Sequence, residues 1–178
     1  MNLTGIDRAE RVVTELFLDS LIPAPRIPDE GCLLDVGSGA GVPGLPLKIF
    51  HPHLDVHLLE ARARRVSFLR QVIRLLGLTG VGVFRGRIEE EPGALPFEHY
   101  PLITARALAP LSRTLAWCSP LLSPEGSLVC FLGPSACKVL DESREVMDRA
   151  GVVVHDVIPY TLPGSKGKRH TVFFQRKQ

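Results

Sequence analysis

Gly37, Gly39 and Gly41 alternate with small residues directly after the apolar run Cys32-Leu33-Leu34 and the pair Asp35-Val36. An apolar run that ends in a glycine-dense turn and continues into a helix-compatible stretch is typical of a strand that presents a small anionic or nucleoside ligand to a helix N-terminus. Glycine suits such a turn because a side chain would hold the backbone away from the ligand, and because the turn often needs a positive φ.

The spacing of these glycines narrows the class of ligand. A dinucleotide fingerprint has glycines at its first, third and sixth positions, and Val42 occupies the sixth position here, which disfavours a nicotinamide-dependent oxidoreductase. A phosphate-binding P-loop is excluded because no Gly-Lys-Ser/Thr follows. Gly-x-Gly-x-Gly after an Asp-ended strand resembles motif I of S-adenosylmethionine-dependent methyltransferases. We therefore expect the turn, with Gly37, Ser38, Gly39 and Gly41, to bind that cofactor.

Length and composition fit one globular domain spanning 1–178, with 45% hydrophobic and 22% charged residues. No apolar stretch approaches the roughly 20 residues that span a bilayer, and no signal peptide is apparent, so we expect a cytoplasmic protein without membrane contact. The cysteines form no CxxC pair and have no companion histidine spacing, which predicts reduced, buried thiols and no metal site. They are Cys32, Cys118, Cys130 and Cys137.

Strand and helix patterns alternate along most of the chain after a short N-terminal helix, about residues 7–22, which Pro23 and Pro25 end. The predicted strands are Cys32–Val36, Val56–Leu59, Val81–Phe84, Leu102–Ala105, Ser127–Leu132, Val152–Ile158 and His170–Gln175. The other predicted helices are Gly44–Phe50, Ala63–Leu76, Pro110–Leu122 and Lys138–Ala150. This order predicts an α/β fold, a doubly wound, Rossmann-like methyltransferase sheet of seven strands. It is mostly parallel, with an antiparallel last strand because no helix joins the final two.

Ligands of doubly wound sheets lie beyond the carboxyl ends of the strands, where the strand order reverses. Glu60 ends the second strand about 20 residues after the glycine turn, a place from which a carboxylate accepts hydrogen bonds from ribose hydroxyls. We expect Glu60 and the adjacent Ala61 to bind the cofactor; the alternative for Glu60 is a solvated strand end. Ile88 and Glu89 follow the third strand and are expected beside the adenine, although an ordinary connection explains them equally well.

Arg106 lies just beyond the fourth strand, where methyltransferases act on their acceptor. Neither the Asp/Asn-Pro-Pro-aromatic motif of exocyclic amine methylation nor a cysteine nucleophile is present. A guanidinium cannot act as a general base but suits a phosphate, a carboxylate or a base edge. The acceptor therefore needs no deprotonation, a requirement that guanine N7 meets. The alternative is a surface arginine.

Two basic clusters are candidates for RNA contact. Arg64 and Arg65 lie at a helix N-terminus, where the helix dipole disfavours cations, so an anionic partner is expected there. Lys166, Lys168 and Arg169 lie in a glycine-containing loop before the last strand, and such cations neutralise phosphates. The alternative for both clusters is a solvated basic surface.

Seven short stretches carry a resemblance that covers nearly the whole chain: Asn2-Leu3-Thr4, Leu18-Asp19-Ser20, Asp35 to Gly44, Arg65-Val66-x-Phe68-Leu69, Arg87-x-Glu89-Glu90, Ala105-Arg106-Ala107 and Arg169-His170. Together they resemble the glucose-inhibited division protein B family, which methylates guanine N7 in small-subunit ribosomal RNA. The resemblance implies S-adenosylmethionine as cofactor and small-subunit RNA, or the assembled subunit, as partner of a monomer. It implies cofactor contacts by Gly37, Val42, Ile88, Glu89 and Arg106. It also places Arg64, Arg65, Arg87 and Arg169 at the active site or on RNA. We expect Arg87 and Arg106 to be the catalytic residues.

The chain departs from the family pattern at three places. Glu15-Leu16 replaces an Arg-His pair, Gly133-Pro134 replaces Lys-Gly, and family members carry additional helices before Asn-Leu-Thr. These departures favour an alternative function: a ribosome-associated RNA-binding module that retains cofactor affinity without turnover. The intact glycine turn favours the enzyme.

Overall fold

The computed structural model describes residues 8–90 and 95–177, which form a seven-stranded sheet with helices on both faces. The strands are β1 (Glu30–Val36), β2 (His53–Glu60), β3 (Val81–Arg85), β4 (Tyr100–Arg106), β5 (Leu122–Leu132), β6 (Val152–Thr161) and β7 (Lys168–Arg176). The helices are α1 (Ala9–Val12), α2 (Asp19–Leu21), α3 (Gly44–Phe50), α4 (Ala63–Leu76), α5 (Leu111–Cys118), α6 (Ala136–Glu142) and α7 (Arg144–Ala150). A π-helical turn, Val13–Leu18, joins α1 to α2.

The strand order is β3-β2-β1-β4-β5-β7-β6, and β1 to β5 pair in parallel. β7 is inserted between β5 and β6 and runs antiparallel to both. The predicted fold class, including the antiparallel last strand, is confirmed. The order reverses at β1, which pairs with β2 on one side and β4 on the other, so a crevice opens at the carboxyl ends of these strands.

Two of the predicted helices differ from the structure. The predicted helix Lys138–Ala150 is divided into α6 and α7 at Ser143, whose hydroxyl donates to the Val139 carbonyl and competes with the helical hydrogen bonds. The predicted helix Pro110–Leu122 leaves the α-helical geometry after Cys118 and ends in a 3₁₀ turn, Ser119–Leu121. Pro120 lies in that turn and has no N–H with which to continue an α-helix. The predicted start of the first helix lies outside the described residues.

The core lies on both faces of the sheet. One layer packs α5 and α7 against the sheet around Leu34, Ile103 and Leu115, and the other packs α3 and α4 around Leu33 and Leu58. Residues of β1 alternate between the two layers, which is why its sequence is a continuous apolar run. In the described part of the chain, no helix has both the length and the apolar character needed to cross a membrane.

The cysteines only partly match the expectation of buried thiols. Cys118 and Cys130 are buried, and burial raises the pKa of the Cys118 thiol to about 12. Cys32 is half-buried. The expectation is wrong for Cys137, which is exposed because α6 is a short surface helix of which only Ala136 is buried.

Candidate functional site

A cavity of about 510 Å³ opens at the carboxyl ends of β1 to β4. Its volume lies within the roughly 300–1,000 Å³ typical of small-molecule sites. Six of the residues predicted from the sequence line it together: Gly37, Glu60, Ala61, Arg87, Ile88 and Glu89. Arg65, which was predicted to contact RNA, also lines this cavity. We refer to it as the first cavity.

The glycine turn lies directly against the wall of the first cavity. Gly37 has a φ of +73°, and a Cβ atom there would lie 2.7 Å from Cδ1 of Leu108. The backbone N–H groups of Gly37 and Ser38 both donate to the Leu59 carbonyl, at 2.8 and 3.1 Å. The turn is therefore fixed to the end of β2, and a side chain at Gly37 would strain the backbone at this positive φ and displace Leu108.

Glu60 is 4% exposed, and its carboxylate joins two parts of the site. Oε2 accepts a hydrogen bond from the Gly39 N–H at 2.9 Å, and Oε1 accepts one from the Arg62 N–H at 2.8 Å. Arg65 Nη1 lies 3.6 Å from Oε2. The carboxylate thus anchors both the glycine turn and the N-terminus of α4. Each oxygen keeps acceptor capacity, because a carboxylate offers about four acceptor positions.

Asp35, which the sequence analysis used only to mark the end of the strand before the glycine turn, is buried and connects three elements. Its Oδ1 accepts from Thr104 Oγ1 at 2.8 Å, and its Oδ2 accepts from the Gly44 N–H at 3.2 Å. Burial raises the pKa of this carboxyl to about 6, while the hydrogen bond from Thr104 opposes the increase. Asp35 joins β1, β4 and the start of α3. A carboxylate at the end of an apolar strand is the signal that could have indicated this role.

The far wall of the first cavity comes from the segment after β4 and from α5, which the sequence analysis did not assign to the site. Leu108, Pro110, Arg113 and Trp117 line it. Opposite them, Ile88 is buried and Glu89 pairs with Arg87 at 3.2 Å. The cavity therefore combines apolar walls with carboxylates and backbone groups at one end. Trp117 is the single tryptophan of the chain, so its fluorescence can report on occupancy.

Several predicted cofactor residues lie elsewhere. Ser38 is buried and donates to the Asp35 carbonyl at 2.8 Å. Gly39 reaches the first cavity only through its hydrogen bond to Glu60. Gly41 and Val42 line a separate apolar groove between α3 and α4.

Arg106 does not line the first cavity but a second one, of about 370 Å³. Its Nη2 lies 2.9 Å from Oδ2 of Asp19 and also donates to the Glu15 carbonyl. Oδ1 of Asp19 accepts from the Tyr160 hydroxyl at 2.8 Å and from Arg169 Nη1 at 3.3 Å. The sequence analysis missed Asp19, although a carboxylate within an apolar helical stripe indicates a buried group in need of partners.

Both basic clusters lie near the carboxyl ends of the parallel strands, where the two cavities open. Arg64 and Arg65 are in the first turn of α4, which follows the carboxyl end of β2. His170 pairs with Leu132, so the beginning of β7 lies beside the end of β5. Lys168 and Arg169 line the second cavity, whereas Lys166 does not. In residues 8–90 and 95–177, no cluster of three His, Cys, Asp or Glu side chains could hold a metal ion.

Comparison with known proteins identifies this arrangement. The family model "rRNA small subunit methyltransferase G" (GidB) matches residues 1–172. The chain belongs to this family. The ribosomal RNA small subunit methyltransferase G of Desulfotalea psychrophila is 40% identical over 168 residues, 94% of this chain and 77% of the relative. That of Acetivibrio thermocellus is 35% identical, over 99% of this chain and 73% of the relative.

Solved structures similar to this member of the methyltransferase G family show the same fold. Ribosomal protein L11 methylase from Lactobacillus delbrueckii subsp. bulgaricus matches with a TM-score of 0.70 and 12% identity, over 92% of this chain and 79% of that chain. Coclaurine N-methyltransferase bound to N-methylheliamine and SAH also matches with a TM-score of 0.70 and 12% identity, over 89% of this chain and 70% of that chain. At such identity the likeness concerns the fold alone.

Proposed function

We propose that this protein transfers a methyl group from S-adenosylmethionine to N7 of a guanine in small-subunit ribosomal RNA, in the cytoplasm. The observation that carries the proposal is the pair of adjoining cavities at the carboxyl edge. The first has the carboxylate and glycine turn suited to a nucleoside cofactor, and the second is lined by cations. Ala107 lines both cavities, so a donor and an acceptor bound in them would be neighbours.

The residues of the first cavity fit S-adenosylmethionine. Glu60 would accept hydrogen bonds from the ribose hydroxyls, Ile88 would contact the adenine ring, and the backbone at Gly37 would lie against the ligand. When bound, this cofactor supplies an electrophilic methyl group on a sulfonium centre. The protein's contribution is alignment, which can supply roughly 7–11 kcal/mol for well-oriented reactants.

The second cavity offers no general base among its described lining residues. Asp19, the one carboxylate among them, has both oxygens engaged: Oδ2 pairs with Arg106, and Oδ1 accepts hydrogen bonds from Tyr160 and Arg169. Burial raises the pKa of the Tyr160 hydroxyl above its ordinary value. This chemistry suits an acceptor such as guanine N7, whose lone pair is available at neutral pH.

RNA contact is proposed for the exposed cations at the same edge. Arg64 and Lys166 are exposed, as is Lys168 at the rim of the second cavity. Lysine and arginine side chains in such positions neutralise phosphates, while specific recognition concerns an unstacked base in a loop or bulge. The proposed active unit is a monomer.

The test is methyl transfer from tritiated S-adenosylmethionine to small subunits purified from a strain that lacks this gene. Mass analysis of the nucleosides should give 7-methylguanosine as the single new product. Methylation at another atom would contradict the N7 assignment. Binding of S-adenosylhomocysteine (SAH) without transfer to subunits or to isolated RNA would favour the cofactor-binding, RNA-binding module instead.

A further inference from the structure

The second cavity lies between β4, β5 and the loop that joins β6 to β7, and α2 closes one side through Asp19. The residue it shares with the first cavity, Ala107, has a φ of +49°. Left-handed backbone is unfavourable for a residue with a Cβ atom and tends to occur at functional sites. The strained residue therefore stands at the junction of the two cavities.

The cavity carries an excess of positive charge. Arg106, Lys168 and Arg169 line it, and Asp19 is the one carboxylate among its described lining residues. Asp19 is 1% exposed and bonds both arginines, so it holds the two guanidinium groups in fixed positions. Arg106 Nη1 is buried and has no hydrogen-bond partner in the part of the chain that is described. A buried donor of this kind favours a ligand that brings an acceptor.

One wall of the cavity is aromatic. Phe131 pairs with Arg106 across the β4–β5 ladder, and the guanidinium carbon lies 5.9 Å from the centre of the phenyl ring. Phe131 is partly buried and packs against the apolar core, and it also lines the cavity. A planar heterocycle that carries a carbonyl acceptor fits such a surface, because bases stack on aromatic rings and on guanidinium planes.

We infer that the second cavity holds the acceptor guanine, with Phe131 as the stacking surface and Arg106 as the donor to O6. Asp19 is the positioning residue that fixes Arg106 and Arg169. The inference rests on the proposed function and adds the residues that bind and position its substrate. Arginine donors match the acceptor edge of guanine, and adenine presents an amino group where guanine has O6.

Replacement of the aromatic wall tests the inference. Phe131→Leu keeps an apolar side chain against the core but removes the stacking surface. We expect single-turnover methyl transfer to small subunits to slow about tenfold, the scale of a lost base–aromatic stack, with SAH affinity unchanged. Phe50→Leu is the matched control, because Phe50 is exposed on α3 and lines neither cavity. A wild-type rate in Phe131→Leu, or a parallel loss of SAH affinity, would overturn the inference.

The positioning role of Asp19 has its own test. Asp19→Asn keeps the shape of the side chain but removes the charge that pairs with Arg106 and Arg169. The rate of methyl transfer to bound RNA should fall about tenfold or more, since a charged contact is lost. The affinities for SAH and for RNA should stay close to those of the wild type. A purely structural role would instead lower both affinities and the thermal midpoint together, and that result would refute the positioning role.

A binding measurement separates this inference from the proposed function. Saturation-transfer NMR is carried out with guanosine 5′-monophosphate in the presence of SAH. The base protons should receive saturation from the wild type and from Phe50→Leu, but not from Phe131→Leu. If the wild type methylates no ribosomal substrate, the proposed function fails, yet this Phe131-dependent signal would still support a guanine site. Equal signals from guanosine and adenosine monophosphates would count against guanine recognition.

Discussion

At the scale of single residues, the buried carboxylates organise the site more than its exposed charges do. Glu60, Asp35 and Asp19 are each at most 4% exposed, and each joins elements that are distant in sequence. The sequence predicted a cofactor-binding role for Glu60, because an acidic residue about 20 residues after a glycine turn is typical of nucleoside-binding folds. It gave no role to Asp35 and Asp19, because their partners, such as Thr104 and Arg169, meet them only through the tertiary fold.

Glu60 should be the residue on which cofactor affinity depends most. Glu60→Ala removes the acceptor of the Gly39 and Arg62 N–H groups and the proposed acceptor of the ribose hydroxyls. SAH affinity should fall about tenfold or more, in line with roughly 1.5–3 kcal/mol for a hydrogen bond to a charged group. Calorimetry measures this directly. Glu60→Gln, which retains one carbonyl oxygen, should be intermediate, and unchanged affinity in Glu60→Ala would remove Glu60 from the site.

The variant Arg106→Lys tests whether Arg106 contacts the acceptor guanine or the cofactor. Lysine keeps a positive charge that can pair with Asp19 but lacks a second nitrogen equivalent to Nη1, which is buried and has no partner in the described structure. Because Arg106 lies outside the first cavity, SAH affinity should be unchanged. Single-turnover transfer should drop by roughly ten- to a thousandfold, the scale of one positioned contact. Weaker SAH binding would instead support the cofactor contact that the family resemblance implies.

The Asp35 carboxyl gives the stability of the protein a specific pH dependence. Its pKa is raised from 3.8 to about 6 in the folded state, mainly by burial, so between these values the native protein binds more protons than the unfolded chain. Its contribution to stability is therefore greatest at low pH and is lost as the pH rises through about 6. Urea unfolding across this range should show wild-type stability falling relative to Asp35→Asn. Parallel curves for the two proteins would show that Asp35 does not titrate in this range.

At the scale of elements, the sequence predicted α3 and α4 to the residue and the centre of every strand. Strong periodicity and flanking glycines or prolines mark these elements locally. It did not predict the break at Ser143, because a serine inside a helix often leaves the helix intact. Nor did it place α5 at the site. Arg113 and Trp117 lie on a helix whose pattern indicates only a buried face, and their position beside the first cavity depends on how α5 packs.

The close packing of α3 against the sheet can be tested at Gly44. A Cβ atom there would lie 2.5 Å from Cδ2 of Leu58 and 2.9 Å from Oδ2 of Asp35. Gly44→Ala should therefore reduce the free energy of unfolding by about 1–3 kcal/mol, as overpacking does, and should weaken SAH binding by moving the adjacent turn. Urea unfolding and calorimetry measure the two effects. Gly133→Ala, where a Cβ atom would meet nothing within 4 Å, is the control and should leave both unchanged.

At the scale of the whole molecule, the antiparallel insertion of β7 decides where the positive charge lies. Because β7 runs opposite to β5, its first residues join the carboxyl edge at which β1 to β4 end. The loop before β7 and the first turn of α4 therefore contribute cations to one edge of the sheet. The net charge of +2 conceals this asymmetry, which only the topology creates.

RNA affinity should depend on the cations of this edge that have no acidic partner in the described structure. Arg64, Lys166 and Lys168 meet this condition, whereas Arg65 and Arg169 are paired with buried carboxylates. The triple alanine variant of these three exposed residues should bind small-subunit RNA more weakly. Its slope of log affinity against log salt should be shallower by somewhat less than one per residue removed, as expected for lost phosphate contacts. Filter binding at several salt concentrations gives the slope.

A variant with the same loss of charge at the opposite edge distinguishes phosphate contact from net charge. Arg74 lies at the end of α4, Arg149 at the end of α7 and Lys177 beyond β7, all toward the amino ends of the parallel strands. Replacement of these three by alanine should lower affinity slightly through the long-range field and leave the salt slope close to its wild-type value, since no phosphate contacts are lost. Equal slopes in the two triple variants would mean that the carboxyl edge is an ordinary solvated surface. RNA would then have to reach the second cavity by another face of the molecule.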